Sequence, residues 1–195
     1  MGLSARNTRV VAVAVVVVIG VAAAGFRVYQ DRAADLVSPG AAGTNRFVAS
    51  SQPETSYVVE GLDVCLDRPG DVTITDVSFV TNQGGARVTA WGVRPQLATR
   101  GADPSQPSTL GRRGGFERRD VTRTCGAPTD SSELALEVRK SAPGLGRGLD
   151  LRITYDTGLF TRELEVEMDV VLCGPETGST SVSRACADIE SAEAG

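Results

Sequence analysis

Apolar positions in this chain fall into two regimes. One is a single unbroken run near the start, and the other is a series of short segments in which apolar and polar residues alternate. The run, Val10 to Phe26 (VVAVAVVVVIGVAAAGF), carries no charge. As a helix it would extend about 25 Å, at the short end of what crosses a hydrocarbon core of about 30 Å. A buried core helix of a globular domain is the bland reading, disfavoured because so valine-rich a run lacks any polar face. The run predicts a transmembrane helix or signal-anchor over 10–26, preceded by a cytoplasmic stub, 1–9. Arg6 and Arg9 before it are balanced by Arg27 and Arg32 after it, so the positive-inside rule leaves orientation open. The tiny stub and the cysteine distribution favour an inside N-terminus. The alternative is a secreted product, with Ala22 and Ala24 forming a signal-cleavage site and cutting near Ala24, although the run exceeds the usual apolar core of a signal peptide.

Residues 27–56 are small and polar, broken by Pro39, Gly40, Gly43 and Pro53, and read as a flexible linker. From Tyr57 the period becomes two. Leu62, Val64 and Leu66 share a face, as do Leu134, Leu136 and Val138. Leu149, Leu151, Ile153 and Tyr155 form another such row, answered by Leu164, Val166, Met168, Val170 and Leu172. The last two segments predict a hairpin through Thr157-Gly158-Leu159-Phe160, with Leu151 opposite Val166, Arg152 opposite Glu165 and Leu149 opposite Met168. Between them the earlier segments slip in phase. Val72 and Ile74 give way to Val77 and Phe79, and Val88 and Ala90 give way to Trp91 and Val93. Two slips flanking Asn82-Gln83-Gly84-Gly85 predict a paired bulge or a corner where strands change sheets. About six or seven strands over 57–186, with no soluble helix, predict an all-β fold: an antiparallel immunoglobulin-like β-sandwich ectodomain, with a barrel as the alternative. Residues 187–195 read as a disordered acidic tail.

Composition narrows the chemistry. Histidine is absent, which removes Ser-His-Asp and Cys-His nucleophile systems and the usual near-neutral acid–base residue. The net charge of −4 does not recruit nucleic acid. Lysine occurs once, at Lys140, and the other basic residues are arginine, a bias that fits high-GC coding. Cys65, Cys125, Cys173 and Cys186 all come after the apolar run and lack C-x-x-C spacing, so they read as two disulfides rather than a metal site. Cys65 and Cys173 both lie on the parity opposite the apolar rows, which disfavours a bridge through the core. The preferred pairing is Cys65–Cys125 with Cys173–Cys186.

Three features bear on function. The segment Arg94 to Asp120 is long for a loop in a compact domain and carries Arg112, Arg113, Phe116, Arg118 and Arg119. These five form the candidate partner-binding loop, since guanidinium groups clamp acidic or phosphate groups. The competing reading is a solvated, mobile loop. Glu163, Glu165, Glu167 and Asp169 form an acidic stripe that reads as a solvated strand face, with Arg152, and Arg139 if its strand is adjacent, as counter-charges. Asp63, Asp67, Asp71 and Asp76 surround Arg68-Pro69-Gly70 and read as turn formers. No catalytic, metal-ligating or cofactor-binding residue is expected.

CLDRPGDVTITDV, ARVTAWGVRP, LRITYDTG and VVLCG resemble segments of uncharacterised single-pass envelope proteins of high-GC Gram-positive bacteria. The resemblance covers about 57–186, implies a cell-membrane location with the C-terminal domain extracytoplasmic, and carries no activity. The expected function is a non-catalytic binding or assembly module for a membrane-protein or cell-wall partner. The alternatives are a carboxylate-dependent envelope hydrolase and a sensory ectodomain acting through a partner.

Overall fold

The computed structural model describes residues 33–39, 45–95, 106–126, 131–158, 160–174 and 186. Among these no helix is long and apolar enough to cross a membrane. The expected transmembrane segment 10–26 and the acidic tail 187–195 lie outside the described residues. The described residues from Ala34 onward form one compact unit.

Among the described residues, nine strands make two sheets. They are β1 (Leu36–Val37), β2 (Asn45–Ser50), β3 (Tyr57–Leu66), β4 (Val72–Gln83), β5 (Ala86–Pro95), β6 (Asp120–Val121), β7 (Ser132–Lys140), β8 (Gly146–Asp156) and β9 (Thr161–Cys173). One helical turn, α1 (Leu110–Arg113), stands between β5 and β6. The first sheet runs β1-β3-β7-β5 and the second β2-β9-β8-β4-β6. Their inner faces meet in one core: Leu62, Leu134 and Leu136 from the first sheet pack with Ile74, Leu151, Val166 and Leu172 from the second. The six long strands lie where the expected alternation placed them, and this is a two-sheet all-β sandwich. Purely antiparallel it is not, because β2 runs parallel to β9, Phe47 beside Val170.

The chain changes sheet between the two phase slips. β4 and β5 are consecutive across Gly84-Gly85, yet β4 pairs with β8 and β5 with β7. Each carries a bulge. Thr75 is the extra residue between Ile74 and Asp76, and Thr89 the extra residue between Val88 and Ala90. The expected corner and the expected bulges are therefore both present, although the bulges do not face each other. A third bulge, unread in the sequence, lies at Glu60-Gly61, where Gly61 takes φ 93°. That value is easy for glycine and strained for any residue with a Cβ.

Two expectations need correction. Residues 27–56 are not simply a linker, because their described part supplies β1 and β2, with Leu36, Phe47 and Ala49 in the core. Asp35, just before β1, fastens this stretch to both sheets. Its N–H donates to Asp67 Oδ1 at 2.8 Å and its carbonyl accepts from Asp67 N–H at 2.9 Å. Its carboxylate accepts from the Tyr155 hydroxyl at 3.2 Å and from Arg162. The hairpin register holds at Leu151–Val166 and Arg152–Glu165, but Leu149 pairs with Asp169, not Met168. The cause is Asp150, at φ 51°, which reverses the alternation of β8. The inward places before it go to the buried Gly146 and Gly148, where the Phe79 ring fills the space a side chain at 148 would need.

Both disulfides form as preferred, Cys65–Cys125 and Cys173–Cys186, and no cysteine is free. Bonds of this kind persist in oxidising, extracytoplasmic settings.

Candidate functional site

The arginine segment is built onto the outer face of the first sheet. That face carries Val58 on β3, Ala90 and Gly92 on β5, and Ala135 on β7, small or apolar groups where a solvated face would carry charge. Leu110 and Phe116 cover them, and with Val58 and Ala135 they form a second apolar cluster. Phe116 is 6% exposed. Gly92 permits this approach, because a Cβ there would collide with the Phe116 carbonyl. Glu137 holds α1 in place, accepting from Leu110 N–H at 3.1 Å and from the Ser56 hydroxyl at 2.8 Å.

The segment then stitches both sheets together. Arg118 bridges to Val93 on β5, and Ile74 N–H donates to the Arg119 carbonyl. β6 pairs with β4, and Leu66 exchanges backbone hydrogen bonds with Arg123 and Cys125. The Cys65–Cys125 bond closes this seam. The described part of the segment is therefore a packed layer and not a solvated loop.

This layer separates the five sequence-predicted residues into two groups. Phe116 is a packing residue, with the Arg94 guanidinium 4.1 Å above its ring centroid. Arg113 is turned towards Glu60 at 3.7 Å, and Arg94 joins Glu60 at 3.4 Å and Glu133 at 2.8 Å. Arg119 lies over the Trp91 ring at 4.6 Å. Arg112 and Arg118 differ. Both are exposed, and their guanidinium groups make no hydrogen bond or ion pair among the described residues.

Beside Arg118, where the 118–123 strip meets the end of β5, lies a cavity of about 210 Å³. Its polar lining includes Arg94, Arg118, Arg123, Asp120, Thr122 and Ser132. Asp120 Oδ1 accepts from the Thr73 hydroxyl at 2.9 Å. Ser132 is buried, at 4% exposure. Sequence reasoning included Arg94 and Asp120 only as the ends of a segment and passed over Thr122, Arg123 and Ser132, which become neighbours through the seam alone.

Most of the acidic residues remain on the surface, but Asp169, expected on a solvated face, is buried at 6% exposure. Arg152 meets Glu165 at 3.0 Å and Glu163 at 3.6 Å, as expected. Arg139 does not serve the stripe; from β7 of the first sheet it pairs with Glu54, in the turn before β3, at 3.1 Å. Asp169 is held instead by Arg147, with two bonds of 2.9 Å, and by Arg46 at 3.6 Å. The hydrogen bond from Arg68 holds the Asp67 carboxyl below its ordinary pKa. Among the described residues no group of three or more Cys, Asp or Glu gathers as a metal site would.

No protein-family model matches this chain, and no curated protein does. Among solved structures it is similar to the CooA pilin subunit from enterotoxigenic Escherichia coli, at 13% identity and a TM-score of 0.33, covering 74% of this chain and 99% of that one. It is also similar to the Vibrio cholerae VesB protease, at 8% identity and a TM-score of 0.33. That match covers 74% of this chain and spans about a third (34%) of the protease. Likenesses this distant leave the argument to the site itself. There, two arginines without ion pairs among the described residues stand on a packed layer, and one of them, Arg118, borders a small polar cavity.

Proposed function

We propose that this chain is a non-catalytic binding or assembly module, held on the outer side of a cell membrane through residues 10–26 and engaging an acidic surface of a membrane-protein or cell-wall partner. The observation that carries this reading is the pair Arg112 and Arg118, exposed and unpaired on a segment fixed by Phe116, Leu110 and Cys125. Intramolecular ion pairs absorb most of the charge on this face, as at Arg94 and Arg113. Charge left unpaired on a preorganised element costs little ordering entropy when it meets a partner. The strand order supports an immunoglobulin-like arrangement: β1-β3-β7-β5 corresponds to strands A, B, E and D, and β9-β8-β4 to G, F and C. In such sandwiches the scaffold is stiff and the connecting segments do the recognition.

The test is in-cell photocrosslinking from position 111, between the packed Leu110 and the exposed Arg112. Arg112→Glu with Arg118→Glu is expected to abolish the captured partner while both disulfides and the thermal midpoint are retained. Undiminished crosslinking in that double variant overturns the reading.

A further inference from the structure

We infer that the cavity beside Arg118 is a subsite for a single carboxylate group, a deepening of the binding-module reading and dependent on it. Size comes first. At about 210 Å³ the cavity falls below the roughly 300–1,000 Å³ of pockets that enclose whole small-molecule ligands, and it suits one side chain or one small acid. Charge sets the sign. Arg94 is neutralised by Glu133 at 2.8 Å, and Arg123 has interactions of its own. Arg118 has no ion pair among the described residues and supplies the available guanidinium, whose forked donors match a carboxylate. Ser132 and Thr122 line the same cavity, and their hydroxyls are the donors available for a second oxygen. Asp120 also lines the cavity and offsets part of the arginine charge, leaving enough for about one negative charge and too little to neutralise a dianion such as phosphate.

The test uses the full chain in uncharged detergent micelles, isotope-labelled for NMR, titrated at constant ionic strength against chloride. The probes are acetate, inorganic phosphate and a short peptide bearing one glutamate. Acetate and the peptide are expected to produce saturable shifts at the Arg118 guanidinium and at the Ser132 and Thr122 amides. Arg118→Gln is expected to weaken both about tenfold or more, and Arg152→Gln, on β8 and outside the cavity, to leave them unchanged. Tighter binding by the peptide than by acetate assigns the site to an acidic protein segment, and equal binding assigns it to free small acids; either outcome supports the subsite. No saturable shift above chloride, an unchanged response in Arg118→Gln, or preference for phosphate overturns it. Loss of partner crosslinking in the Arg112, Arg118 double variant without any carboxylate response would sink the subsite and leave the broader reading standing. A carboxylate response with crosslinking intact would do the reverse.

Discussion

Lys140, the one lysine of the chain, is 0% exposed. Its Nζ donates to the carbonyls of Gly144 and, at 3.2 Å, Leu172, so it fastens the turn after β7 to the end of β9. Burial penalises the ammonium and pushes its pKa below the ordinary 10.5. The unfolded chain therefore binds more protons than the folded one between the folded pKa and 10.5, and stability rises with pH across that window. The gain is complete above 10.5 and is lost as pH falls through the folded value. Urea unfolding of the wild type and of Lys140→Met across pH 7 to 10.5 reads this directly: the wild type is expected to gain on the variant as pH rises, and parallel curves would contradict it. A second contrast belongs to single residues of the arginine layer. Phe116→Ala removes a buried ring and is expected to cost about 3 kcal/mol in urea unfolding, against changes within about 0.5 kcal/mol for Arg112→Ala and Arg118→Ala. In the sequence all five residues looked alike, because nothing local tells a phenylalanine or an arginine that turns inward from one that does not. The signal lay elsewhere, in the outward row of Val58, Ala90, Gly92 and Ala135, which has no reason to be small and apolar unless something covers it.

Elements were legible wherever apolar residues bracket an irregularity on both sides. The slips at Thr75 and Thr89 could be read because Val72 and Ile74, then Val77 and Phe79, stand on opposite parities. The reversal at Asp150 was hidden, since Leu149 continues the parity of Leu151 by coincidence while glycines hold the true inward places. β1 and β2 were hidden for another reason. They are short, lie among Gly, Ala, Ser and Pro, and find partners more than 100 residues away in β9, or on β3 across a different segment. Their contribution is nevertheless that of core elements. Phe47→Ala is expected to cost about 3 kcal/mol, and a chain beginning at Tyr57, which lacks Leu36, Phe47 and Ala49 and bares the edge of β9, is expected to lose its cooperative thermal transition. A transition at the full-length midpoint would return 34–56 to the status of a linker.

At the scale of the whole molecule, the two sulfur bridges do different jobs, and their positions say which matters more. Cys65–Cys125 spans 60 residues and locks the strip that joins β3, β4 and β5 across the open side of the sandwich. Cys173–Cys186 spans 13 and ties Cys186 back to the end of β9. Chain entropy alone assigns about 4 kcal/mol to the longer loop and about 3 kcal/mol to the shorter, a difference too small to separate them. Packing separates them. Opening the first bridge also loosens the strip behind the Leu110–Phe116 cluster and the Arg118 cavity, whereas Cys186 lies beyond the last strand. Replacing Cys65 and Cys125 by serine is therefore expected to lower stability more than replacing Cys173 and Cys186. It is also expected to raise amide exchange in 106–125 to near-unprotected rates while β8 and β9 stay protected. Equal exchange in the two variants would mean that the arginine layer stands on the Phe116 cluster alone, with the sulfur bridge incidental to it.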